Sequence, residues 1–202
     1  VSIYEGNKNL SPQELYEQTE GLSDDEKLEI FKEELDSLDQ KEGRKLLRKI
    51  LLNLPEYFWF ANQPDEYSKN YPMIQTNGGI IRHTKRRFEI LQTLIETYDS
   101  NPTLEDILKI SCIIADGFVY GKRNNIPEEE DPHRFHALII RNMIEENNWD
   151  LMIPQAVYSG ILDCVESHQG SWAPSGKLKP KLGQPEHLLH QADYLINSKR
   201  VI

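Results

Sequence analysis

Residues 103–121 read TLEDILKISCIIADGFVYG. Leu104, Ile107, Leu108, Ile110, Ile113 and Ile114 make the first part of this stretch apolar nearly all round. A surface helix keeps one polar face, so a helix apolar on every side belongs in the middle of a helical bundle. Thr103 to Asp106 supply polar residues for capping its start, and Asp116 follows at its C-terminal end. A carboxylate there opposes the helix dipole and is costly to bury alone. A bound metal ion or a basic partner would resolve that conflict, which marks Asp116 as a candidate functional residue on physical grounds alone.

The rest of the chain supplies helices to surround this one. Ser11-Pro12-Gln13-Glu14 and Ser23-Asp24-Asp25-Glu26 both read as helix starts. After the second, Leu28, Phe31, Leu35 and Leu38 recur at helical spacing. Lys45 to Leu54 is amphipathic and stops at Pro55. Residues 55–79 are aromatic and broken by Pro64, Pro72 and Gly78-Gly79, which predicts an irregular segment packed on the body or walling a nucleobase. Helices are predicted over Ile80–Tyr98, Phe135–Asn147 and Pro154–His168, and a last one from Pro185. The expected fold class is all-α: a helical bundle over residues 54–202 with an N-terminal helical extension over 1–53, packed on it as a solvated hairpin or used as an interface.

The 202 residues form one domain, with or without an extension, large enough to bury a core without disulfides. Hydrophobic residues make up 38% and charged residues 28%, an ordinary globular balance. The net charge of −10 argues against broad electrostatic binding of nucleic acid, while leaving room for a local basic pocket. Cys112 and Cys164 sit in apolar helical patterns and read as buried thiols. The first residues, VSIYEGNKN, lack a signal pattern, and no apolar run approaches the length of a membrane span. A cytoplasmic protein without membrane association is the expectation.

Histidines and aspartates recur in order along the chain: His83 in GGIIRHTKR, Asp116, His133 and His136 in DPHRFHALIIR, His168 in ESHQGSW, and Asp193 in LLHQADYLINS. With the aromatic-rich LPEYFWFANQPDEYSKNYPMIQTNGGIIRHTKRR, the segment SHQGSWAP and the closing EHLLHQADYLINSK, this series resembles the HD superfamily of metal-dependent phosphohydrolases, in a subgroup common in phages and bacteria. The resemblance covers roughly residues 54–199. Two departures stand out: Ala115 occupies the place of the His in the family's adjacent His-Asp pair, and Val119 the place of a frequent Lys.

The resemblance implies a first ion held by His83, Asp116 and Asp193, and a second by Asp116 with His168 and one of His133 or His136. It implies His190 as a supporting residue. With the imidazole at 115 missing, the first ligand set is one imidazole and two carboxylates, which favours Mn²⁺ or Mg²⁺. A divalent ion so placed activates water for attack on phosphorus and offsets charge on phosphoryl oxygens. The implied function is a hydrolase: a phosphohydrolase or phosphodiesterase acting on a nucleotide, cyclic nucleotide or short oligonucleotide, with Asp116 and Lys122 in catalytic roles. The partner is then a phosphate-containing small molecule or short nucleic acid, and a homodimer is compatible with it. Arg82, Lys85, Arg86 and Arg87 surround the first ligand; Arg82 and Arg86 are candidate phosphate contacts and Trp172 a stacking residue. Lys177, Lys179 and Lys181 form a basic strip that could guide an anion. Ala115 and Val119 motivate two competing readings: a degenerate member that binds a nucleotide or protein without hydrolysis, or an inactivated form in which His was changed to Ala.

Overall fold

The computed structural model describes residues 21–61, 78–98, 100–121, 132–170 and 185–197, with backbone only for 132–135. Everything regular in them is helical: α1 (Asp24–Ile30), α2 (Lys32–Asp36), α3 (Lys41–Leu52), α4 (Tyr57–Phe60), α5 (Gly79–Glu96), α6 (Pro102–Ile114), α7 (Pro132–Glu146), α8 (Gln155–Ser167) and α9 (Pro185–Asn197), with a 3-10 turn at Trp149–Met152. The all-α expectation holds. The helix start expected at Ser11 lies outside the described residues.

Helix α6 is the central element. Leu108, Ile110, Cys112, Ile113 and Ile114 are fully buried, and the helix packs against α3, α5, α8 and α9. Its cap is not the predicted Thr103: the Asn101 side chain accepts from Leu104 N at 3.0 Å, and Pro102 takes the first helical position, where a missing N–H costs nothing. Asp106 instead acts at a distance. Its two carboxylate oxygens accept from Asp39 N at 2.9 Å and Gln40 N at 2.7 Å, so a side chain of α6 caps the start of α3, where Gln40 offers no cap of its own.

The N-terminal helices share one core with the rest. Ser23 and Glu26 form a reciprocal capping box at α1. The single helix expected from Leu28, Phe31, Leu35 and Leu38 is broken at Phe31, whose φ of −108° and ψ of 24° separate α1 from α2. The Phe31 ring lies 6.1 Å from Phe58, stacked, and 6.0 Å from Trp59, edge-on. Residues Tyr57 to Phe60 form a single helical turn rather than irregular chain, and all four are buried. They pack on the body, as one of the two readings of this aromatic stretch has it. Tyr57 Oη donates to Gly121 O at 2.9 Å and accepts from Tyr120 N at 3.2 Å, tying this turn to the segment after Asp116.

Cys112 and Cys164 are buried free thiols, as expected. Burial pushes Cys112 up to about 11 and Cys164 up to about 12, against the partial opposition of Arg87 and Ser111 respectively. No helix among the described residues is long and apolar enough to cross a membrane.

Candidate metal centre

Five helices bring five ligand-type side chains to one buried point. His83 sits in the second turn of α5, which begins at Gly79, rather than in the first turn predicted from a start at Ile80. Asp116 follows α6 directly, after Ala115 at the cap. His136 lies on α7, His168 caps the C-terminus of α8, and Asp193 lies on α9. All five are buried. Ligands that must surround a point have to come from several elements, and a bundle supplies them from its inward faces.

Asp116 divides the centre in two. Its Oδ2 faces His83 Nε2 at 3.7 Å, and His83 Nε2 also lies 3.7 Å from Asp193 Oδ1. Its Oδ1 faces His136 Nε2 at 3.5 Å and His168 Nε2 at 3.7 Å, and those two nitrogens are 3.3 Å apart. Each half is a set of three donor atoms close enough to share an ion: His83, Asp116 and Asp193 on one side, and Asp116, His136 and His168 on the other. Neither ring nitrogen of His83 has a hydrogen-bond partner although both are buried. Buried imidazole nitrogens are normally satisfied, so this ring is an unmet demand at the centre.

The second half is oriented from outside. His168 Nδ1 lies 2.5 Å from Val165 O. A carbonyl accepts only, so Nδ1 carries the proton and the Nε2 lone pair points at Asp116 and His136. His190 Nδ1 donates to His168 O at 2.8 Å and steadies the same helix end. Gly170 makes this approach feasible. Its φ is +59°, and a Cβ there would stand 2.2 Å from His190 Cε1. Gly117 does similar service on the other side of the centre, where a Cβ would meet Leu54 Cδ2 at 2.7 Å.

The residue that the sequence reading treated only as one of several basic neighbours is Arg87. It is fully buried. Its Nη1 donates to Asp116 Oδ2 and to Asp193 Oδ1, both at 2.8 Å, and its Nη2 donates to Cys112 O at 2.8 Å. The basic partner that Asp116 requires at the end of α6 is therefore present within the chain. His83 and Arg87 are four residues apart, the spacing that places two side chains on one helix face. That spacing was the available signal.

Burial alone would raise both carboxyls, but the surrounding cations prevail. Asp116 is held well below the usual carboxylate range, chiefly by Arg87 and then by the histidines. Asp193 is held at about 2, with His83 and Arg87 offsetting its burial. At 3.7 Å the His83 contact is too long for a hydrogen bond, so the direct stabiliser of Asp193 is Arg87.

The other predicted residues separate. Arg86 is exposed and pairs with Glu89 one turn on at 2.6 Å, while Lys85 pairs with Glu34 at 2.7 Å. Arg82 is half-buried on α5. Lys122, Trp172, Lys177, Lys179 and Lys181 lie outside the described residues, and so does the side chain of His133. The structure brings His136 to the centre. The chain matches no family model, no curated protein and no solved structure. Its functional reading therefore rests on the geometry and chemistry of this centre.

Proposed function

We propose that the chain is a metal-dependent phosphohydrolase or phosphodiesterase, acting on a nucleotide, cyclic nucleotide or short oligonucleotide, on the plan of the HD proteins that its sequence resembles. The observation that carries this reading is the convergence of His83, Asp116, His136, His168 and Asp193, all buried, into two ligand sets sharing Asp116. The donor set fits a divalent ion: imidazole lone pairs and ionised carboxylates face one another at separations too long for most hydrogen bonds and suited to a common ligand. A divalent ion held there would activate water and neutralise charge on a phosphoryl group.

The chain's own residues have separate tasks. Asp116, His136 and His168 would present one oxygen and two nitrogens to an ion. Val165 O and His190 hold the His168 ring and its helix end in place. Arg87 keeps Asp116 and Asp193 ionised in a buried setting, and its burial leaves it unable to reach a phosphate itself. Phosphate and base contacts fall to Arg82, Lys122 and Trp172, all three on sequence grounds alone.

A specific observation also favours a second reading, in which the centre binds a nucleotide or protein partner without hydrolysis. Arg87 already neutralises one carboxylate of the first ligand set, and Ala115 withholds an imidazole from it. The test is hydrolysis of bis-p-nitrophenyl phosphate and a panel of nucleotides by the metal-free chain, supplied in turn with Mn²⁺, Mg²⁺, Zn²⁺ and Co²⁺. Ion-dependent turnover that is lost in His168→Ala is the expected result. Ligand binding with no turnover under any ion would favour the second reading.

A further inference from the structure

Building on that metal-dependent reading, we propose that Arg87 takes the place of a first ion between Asp116 and Asp193, and that the centre holds a single divalent ion on the opposite side of Asp116, bound by Asp116 Oδ1, His136 Nε2 and His168 Nε2.

The two halves of the centre are chemically unlike. In the first, the two carboxylate oxygens nearest His83 are the same two that Arg87 Nη1 contacts at 2.8 Å. An ion coordinated to them at about 2.1 Å would lie no farther than about 5 Å from that nitrogen. Arginine stays protonated in proteins, so the two cations would repel each other across a buried space. Arg87 cannot easily withdraw either. Its side chain is fully buried, and its second nitrogen is anchored on Cys112 O at 2.8 Å. The carboxylates already have the positive partner that an ion would offer.

Arg87 meets Asp116 at Oδ2, away from the Oδ1 that faces the second half. Its three donor atoms form a triangle with sides of 3.3, 3.5 and 3.7 Å. A tetrahedral ion with bonds of about 2.0 to 2.1 Å spans ligand atoms about 3.4 Å apart, so the triangle accepts one with little movement and leaves a fourth position open. Two imidazoles and one carboxylate form a donor set of borderline softness. It suits Zn²⁺, Co²⁺ or Mn²⁺, whereas Mg²⁺ prefers oxygen ligands in an octahedron. Charge points the same way. Asp116, Asp193 and Arg87 together carry one net negative charge, which one divalent ion reverses only to a single positive one.

The experiment is titration of the metal-free 202-residue chain with Zn²⁺ and Co²⁺. Calorimetry and elemental analysis give the stoichiometry, and the visible absorption of Co²⁺ reports the ligand field. One ion per chain is expected, with Co²⁺ bands of a four- or five-coordinate site. His136→Ala and His168→Ala should weaken binding by at least about 100-fold, since even a partner of a ligand is commonly worth roughly 10- to 100-fold. His83→Ala should weaken binding far less than either of these and should keep the ratio at one ion per chain. His136→Gln and His168→Gln, closer in size, repeat the test should the alanine variants fail to fold by circular dichroism. Two ions in the unaltered chain would overturn the proposal. So would no ion at all, or binding lost in His83→Ala but kept in the His136 and His168 variants. One ion bound as described, with no phosphoester hydrolysed, would uphold the single-ion centre and overturn the hydrolase reading instead.

Discussion

Replacing Arg87 with methionine tests the electrostatic logic of the whole centre. Methionine keeps much of the volume and removes the charge. Asp116 and Asp193 are then left with ligand atoms within 4.8 Å of each other and no cation between them. Two unit charges at that separation repel by about 3 kcal/mol at an effective dielectric constant near 20. Cys112 O also loses its buried donor. Breaking a buried pair from one side commonly costs about 3 to 5 kcal/mol, so the two routes to a magnitude agree. For a chain of this length that lowers the melting temperature by about 6 to 20 °C.

Two controls separate this account from simple loss of packing. The first is pH. In the unaltered chain the folded pKa of Asp193, about 2, lies below its unfolded value. Its contribution, about 2 kcal/mol, is present above pH ~4 and is lost as pH falls toward 2. In Arg87→Met the crowded pair binds a proton more readily folded than unfolded, so the variant should recover stability relative to the unaltered chain as pH falls from 7 to 5. The second is metal. An ion that binds the opened carboxylates at about 100 times its dissociation constant restores about 2.7 kcal/mol. Thermal melts followed at 222 nm, with EDTA or with Mn²⁺, read all of this. A variant that melts within about 1 °C of the unaltered chain, or whose deficit is the same at pH 5 and pH 7, would refute the role given to Arg87.

Three further outcomes follow from the geometry. Gly170→Ala puts a Cβ in a left-handed position and against the His190 ring; a loss of about 2 kcal/mol in denaturant unfolding is expected, with weakened metal binding as the His168 end shifts. Asp106→Ala leaves Asp39 N and Gln40 N without an acceptor, and should cost about 2 kcal/mol or more by the same assay. Cys112 and Cys164, buried and with raised pKa, should ignore Ellman's reagent at pH 8 until the chain is unfolded; prompt reaction of either would show that the core around α6 or α8 opens.

The features legible in the sequence were those carried by short-range pattern. The all-round apolar face of α6 placed it at the centre, and the dipole conflict at its end singled out Asp116, which is where the ligands converge. The break at Phe31 was invisible because a one-residue interruption leaves the spacing of Leu28, Phe31, Leu35 and Leu38 intact. The role of Asp106 was equally hidden. A carboxylate near the start of a helix reads as serving its own helix, and only tertiary packing shows it serving α3. The choice between His133 and His136 depended on the rotation of α7 about its axis, which periodicity alone leaves open. Arg87 shows the sharpest limit. Its spacing from His83 was plain, but four basic residues among six positions give no sign of which one turns inward.

That inward turn bears on Ala115, because Arg87 and Ala115 meet the same helix end: Arg87 donates to Cys112 O, one turn before the alanine that caps α6. An absent imidazole and a present guanidinium are then one arrangement rather than two accidents, and restoring histidine alone should not restore a first ion. Ala115→His is expected to leave the stoichiometry at one ion per chain, because the guanidinium still bridges Asp116 and Asp193. Arg87→Ala combined with Ala115→His supplies both the vacancy and a fourth ligand beside His83, Asp116 and Asp193, and should bind two. The affinities for a second ion in the two single variants and the double form a cycle whose non-additivity measures the coupling directly. A second ion gained by Ala115→His alone would mean that Arg87 yields its place readily, and that the missing imidazole by itself limits the centre.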